Sequence, residues 1–305
     1  MNKNNDYLMS NRLTRAHITI ALTSFLISLS GTANCAESSP FSPTFILKQG
    51  QVLSTTVISI GDTKATASFS TGQATSSKLR YSGATETLLI GLPSNIELGA
   101  ALSYSSIISK SPSSLQTTEG FIDPSYFINK TWLADSPAYR AKAGFSYTPH
   151  AGSHGSPNSP TRYTIGGSIT KFMGDNWIGS IGLSRNIYDR DKYYDRTTAY
   201  GDSTSLSFGL SKEVGAYLIS TGLSANYVDK KSIAFPDAYA ESKDNRSYSG
   251  SITVSRAVSD NFWLGITYIN AWNTSKFMSV NNGFESSGDS DGRSNILQAT
   301  LKAVF

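Results

Sequence analysis

Two groups of residues in this chain have the types and spacing for chemistry. The first is His154-Gly-Ser156, a His-x-Ser pair. An imidazole beside a hydroxyl can take its proton and make it a nucleophile, provided a third group orients the imidazole. The position about a dozen residues further on is Ser168, which orients an imidazole poorly. His154 and its neighbour His150 also lie in a Gly/Pro/Ser-rich stretch, 149–161, that does not fix side-chain geometry. A polar surface loop is the simpler reading of the pair.

The second group is a set of charges on segments whose side chains alternate. Lys78, Arg80 and Glu86 fall on the side opposite Leu79, Tyr81 and Leu89, and Arg140 and Lys142 on the side opposite Tyr139, Ala141, Ala143 and Phe145. Glu97 and Asp123 join them from the two segments between. Mixed charges on adjacent strands can line a constriction that selects by charge. They can equally form an internal salt-bridge network that braces a wall, and both readings stand. The chain has no metal-ligand cluster, phosphate loop or nucleotide fingerprint, so no cofactor and no metal is expected.

The elements that must position these residues are strands. From residue 50 onward, segments of about ten alternating residues are separated by turns, with no competing helical period. The segment 216–227 is typical, with Tyr217, Ile219, Leu223 and Tyr227 on one side and Ser220, Gly222, Ser224 and Asn226 on the other. The pattern predicts strands at 51–60, 78–92, 96–105, 121–132, 138–148, 162–172, 177–188, 203–212, 216–227, 246–256, 261–271 and 295–305. Connections alternate between short turns, such as Pro93-Ser-Asn95 and Met173-Gly-Asp-Asn176, and long polar stretches at 61–77, 106–120, 149–161, 189–200, 229–245 and 273–293. Aromatic residues gather at both ends of the strands, as interfacial belts require. Short turns at one end, long loops at the other and an even strand count describe a transmembrane antiparallel up-and-down β-barrel, all-β, of twelve strands over 50–305. A secreted sandwich would have shorter strands, and nothing would make its inner face Ser, Thr and Gly.

The N-terminus reads as an export signal over 1–36: Lys3, Arg12 and Arg15, then an apolar run from Ile18 to Leu29, then small residues. That run is shorter than the roughly 20 residues a spanning helix needs. Cleavage is expected after Ala33, Cys35 or Ala36. Acylation of Cys35, the single cysteine, would favour a small residue before it, where Asn34 stands. Removal of 1–36 lowers the net charge from +4 to +2, and no basic block points to nucleic acid. A Ser/Pro-rich stretch, 37–49, reads as a short periplasmic leader. At the other terminus, Leu297, Ala299, Leu301, Ala303 and Phe305 alternate up to the last residue. A terminal aromatic on such a strand resembles the signal that bacterial outer-membrane barrels present to their assembly machinery. That machinery and outer-membrane lipid are the partners this implies, with a Gram-negative outer membrane as the location.

Gly120-Phe-Ile-Asp123-Pro124, Leu79-Arg-Tyr81 and Ser94-Asn-Ile-Glu97-Leu-Gly99 resemble motifs of the phenol meta-pathway degradation transporter-like family, over about 78–170. The resemblance implies a non-enzymatic barrel for passive passage of small solutes, hydrophobic or aromatic compounds among them, with no catalytic residues to carry over. The solute itself is not legible. Two other classes stay open: a structural or adhesive surface barrel, and a lipid hydrolase of the kind that uses a His-x-Ser pair, here His154 and Ser156.

Overall fold

The computed structural model describes residues 39–110, 115–149, 160–189, 191–193, 196–235, 238–281 and 284–305. The expected export segment, Cys35, His150, His154 and Ser156 lie outside them. The alternating chain forms fifteen strands in one antiparallel sheet. They are β1 (Val52–Phe69), β2 (Ala74–Leu92), β3 (Ile96–Lys110), β4 (Leu115–Trp132) and β5 (Tyr139–Thr148). Next come β6 (Arg162–Met173), β7 (Trp177–Tyr188), β8 (Asp191–Tyr193), β9 (Arg196–Ala199) and β10 (Ser203–Val214). The last are β11 (Tyr217–Val228), β12 (Lys231–Phe235), β13 (Ala238–Ser259), β14 (Phe262–Asn281) and β15 (Phe284–Val304).

Among the described residues twelve strands build the wall: β1–β7, β10, β11 and β13–β15, each paired with the next in order. β1 then pairs with β15, from Leu53–Val304 to Phe69–Gly288, and closes the barrel. A hydrogen-bonded row that leaves β1 at Val52 passes Ile90, Leu98, Ile128, Phe145, Ile165 and Arg185. It continues through Thr204, Tyr227, Arg246, Thr274 and Asp291 and re-enters β1 at Thr66, a stagger of 14 residues. A stagger of that kind forces the strands to tilt, typically by about 35–45°. β8, β9 and β12 extend the sheet at the long-loop end, beside β13. There Lys230 and Tyr239 both bond the Glu241 carboxylate, Tyr239 at 2.6 Å, and together hold it below the usual carboxylate range.

The distribution of side chains is inverted relative to a water-soluble protein. Ile58, Ile60, Leu88, Ile165, Leu223, Ile252, Ile266 and Leu297 point outward, with exposures from 46% to 65%. Ser59, Thr170, Ser203, Ser211 and Ser255 face inward and are buried. An apolar band of this extent needs lipid against it. At the short-turn end the band finishes in outward cation–π pairs: Lys171 over Tyr139, Lys212 over Trp177 and Arg256 over Tyr217, at 5.7, 4.9 and 5.3 Å. At the other end Tyr147 stacks on Tyr163 and Tyr248 on Trp272.

All twelve expected strands are present, and their short-turn ends fall within three residues of the sequence reading. The long-loop ends differ. Much of 61–77, 106–120, 229–245 and 273–293, expected as loops, continues the β-ladders, and β1 and β2 turn at Ser70–Gln73. Above the apolar band neither face has lipid against it, so polar residues dominate both faces, with isolated apolar ones such as Leu115 and Phe235, and the strict alternation disappears. The backbone pairing persists regardless.

Candidate functional site

Residues 39–51 lie at the short-turn mouth, against the inner wall. Leu47 is 1% exposed and packs with Leu53, Trp263 and Val304, with Phe41, Phe45, Leu89 and Ala257 around them. Burial of Leu47 alone contributes about 1.5–3 kcal/mol. Two glycines flatten the wall for this segment: a Cβ on Gly265 would stand 2.5 Å from the Phe41 ring, and one on Gly91 would strike the Lys48 carbonyl. Reciprocal backbone bonds near the end of the segment, Gly50 N–H to Gly91 O and Gly91 N–H to Gln51 O, are both 2.9 Å. Two cations from the wall hold it further. Lys302 donates to the Pro40 carbonyl at 2.8 Å and covers the Phe41 ring, while Arg140 donates to the Thr44 carbonyl.

Beside this segment the mouth stays open. A cavity of about 630 Å³ runs between residues 44–48 and the short-turn ends of β5, β6, β7 and β10. Phe45, Leu47, Phe172 and Ile178 give it apolar surface, and Asp135, Arg140, Asp175 and Glu213 give it charge. A second cavity of about 340 Å³ follows the inner wall further up, along Lys142, Gly144, Ser146, Gly166, Ser168, Gly182 and Ser184. Small side chains leave that part of the lumen unfilled.

The charges identified from the sequence divide into three sets. Glu97, Arg140 and Lys142 face inward. Glu97 on β3 is 2% exposed and accepts from Lys142 Nζ at 2.6 Å and from Asn129 Nδ2 at 3.3 Å, a bridge across three adjacent strands. Gly144 makes room for it, since a Cβ there would collide with the Asn129 amide. Arg140 sits one inward position nearer the mouth, where its Nε donates to the Ala134 carbonyl at 3.2 Å and its guanidinium covers Phe172.

Asp123 is in a different place. It is buried at a β-bulge with Pro124, where the β3–β4 register slips between Ala101 and Ser103. The partner of Lys142 on β4 is Thr131, eight residues from Asp123, so the expectation that Asp123 shares a stretch of lumen with Arg140 and Lys142 is corrected.

Lys78, Arg80 and Glu86 also differ from expectation. They lie on the outer face, on the same side of β2 as Leu88 and Ile90, which are 53% and 41% exposed. Leu89 instead packs inward against the N-terminal segment. Because that segment packs on the inner face of β2, both faces of β2 are apolar there, and the run Leu88-Leu89-Ile90 hides the parity. Lys78 and Arg80 stand above the apolar band. Glu86 stands within it and accepts from Ser54 Oγ at 2.7 Å and Thr56 Oγ1 at 2.5 Å. Phe305 closes the β15–β1 seam, exchanging backbone bonds of 2.9 Å with Val52. Among the described residues no group of His, Cys, Asp and Glu could hold a metal ion.

The N-terminal segment, Lys302, and the bond that Arg140 makes to that segment are the features that sequence reading missed. Alternating apolar residues at Phe41, Phe45 and Leu47 and a lysine on the inward parity of the last strand were the available signals.

No family model matches the chain, and no curated protein matches it. Solved structures do. The COG4313 outer membrane channel from Pseudomonas putida F1 matches with a TM-score of 0.64 at 14% identity, over 88% of this chain and all of that one. A Pseudomonas aeruginosa FadL homologue matches at 0.49 and 9% identity, over 88% and 93%. The P. putida toluene transporter TodX matches at 0.43 and 14%, over 87% and 90%. The first of these places the fold of this chain with that of bacterial outer-membrane channels.

Proposed function

We propose that the protein resides in a Gram-negative outer membrane, short turns in the periplasm, and passes small solutes through its lumen without catalysis. The observation that carries this reading is the lumen: a closed wall with a small, polar inner face, entered through a mouth that a tethered segment narrows but does not fill. Phe45, Leu47, Phe172 and Ile178 at that mouth favour solutes with an apolar or aromatic part. The fold shared with the P. putida outer membrane channel supports the same reading.

A structural or adhesive role is the second reading. The ladders that β8, β9, β12 and β13 build beyond the apolar band favour it, because they form a paired crown on one side of the barrel. Uptake into proteoliposomes separates the two. A channel admits small aromatic solutes faster than protein-free vesicles do, and uptake at the protein-free rate by folded protein rejects the channel reading.

A further inference from the structure

Above the apolar band, one hydrogen-bonded row of the wall reads Tyr248, Trp272, Arg293, Lys64, Lys78, Lys110 from β13 to β3. Side chains paired across antiparallel strands share a face. Trp272 and Tyr248 are outward, so the four cations that continue the row are outward too, and all four are exposed. Arg80 stands one outward position below Lys78. The row begins where the lipid contact ends: Leu297 and Ile60 are the last apolar outward residues of β15 and β1, and Arg293 and Lys64 lie two outward positions beyond them.

Carboxylates near the row are Asp62, in register with Arg80, and Asp291 and Asp289 further along β15. Among the described residues none of them forms an ion pair with these five cations. The opposite wall is built differently. There the outward Arg185 is met by Asp202 at 3.1 Å and Asp229 at 3.0 Å. Like charges directly across strands repel, so an anion over this row of four relieves the repulsion. Three strand spacings span about 14 Å, enough to engage two phosphate groups together.

We propose that Arg293, Lys64, Lys78 and Lys110, with Arg80, form a docking surface for a phosphorylated glycolipid of the outer leaflet. Its phosphates lie on the cations and its acyl chains on the band of Ile58, Ile60 and Leu297 beneath. The surface rests on the long loops facing outward, not on what the lumen passes. Binding to detergent-solubilised protein therefore tests it apart from orientation and transport.

The experiment measures binding of bisphosphorylated lipid A, dephosphorylated lipid A, phosphatidylglycerol and inorganic phosphate to the full mature chain. The bisphosphorylated glycolipid binds tightest. Lys64→Gln, Lys78→Gln and Lys110→Gln together weaken it by about fivefold for each cation removed. Arg185→Gln, on the neutralised wall, leaves binding unchanged. Heat-dependent gel mobility checks that each variant is folded, and Lys78→Gln alone replaces the triple variant if that variant does not fold. Equal binding by wild type and variant overturns the proposal. Equal binding of dephosphorylated lipid A does so as well, as does equal binding of phosphatidylglycerol or competition by inorganic phosphate at similar concentration.

Discussion

At the scale of single residues, the inner charges Glu97, Lys142 and Arg140 each bond another part of the structure. Glu97 is buried, and its partners Lys142 and Asn129 satisfy it across β3, β4 and β5. Lys142→Ala leaves a buried carboxylate with one weak donor, which costs about 1–3 kcal/mol. Its unfolding midpoint, followed by gel mobility on heating, is expected to fall, and adding Glu97→Gln to restore most of the loss. An unchanged midpoint in Lys142→Ala would show that the bridge does not brace the wall. The inward parity of this pair was legible because Tyr139 and Phe145 mark the lipid side of β5. Parity on β2 was not, since lipid covers one face of Leu88-Leu89-Ile90 and the N-terminal segment covers the other. The rule that charges belong inside a barrel also failed on β2. Lys78 and Arg80 stand above the lipid, and Glu86 is partly compensated by the hydroxyls of Ser54 and Thr56.

At the scale of elements, a strand of the wall is a boundary between lipid and a wet lumen. In β11, Leu223 is 65% exposed on the lipid side, whereas Ser224 bonds Ser249 at 2.7 Å on the inner side. Leu223→Arg puts a cation near the middle of the band at about 2–4 kcal/mol, while Ser224→Arg meets water. Membrane assays should therefore show folded barrel for Ser224→Arg and a strong deficit for Leu223→Arg; equal deficits would refute the register. The last strand makes a separate claim. Phe305→Ser keeps the backbone bonds to Val52, so a fall in the amount of assembled barrel reports recognition of the terminal aromatic rather than loss of wall contacts. Normal assembly would remove that role. Strand cores and short turns were readable because lipid imposes alternation there and tight turns demand residues such as Asp175 and Asn176, with φ of 59° and 62°. The ladders beyond the band carry no such imprint.

At the scale of the whole molecule, twelve staggered strands enclose a lumen too wide for its own side chains to fill at every level. The N-terminal segment lies in the short-turn mouth. A stretch that reads as a leader in the sequence becomes part of the lumen lining because its apolar residues find Leu53, Trp263 and Val304, contacts between opposite ends of the chain that no local pattern reveals. The central claim is that the lumen is a passage narrowed at this mouth, and single-channel recording in planar bilayers tests it most directly. Wild-type protein is expected to give small conductance steps. Arg140→Ala with Lys302→Ala, which releases both side-chain tethers, is expected to give larger ones, shifted towards cations and more so at low salt, where screening is weak. Folded wild-type and variant proteins that both fail to conduct would contradict the account.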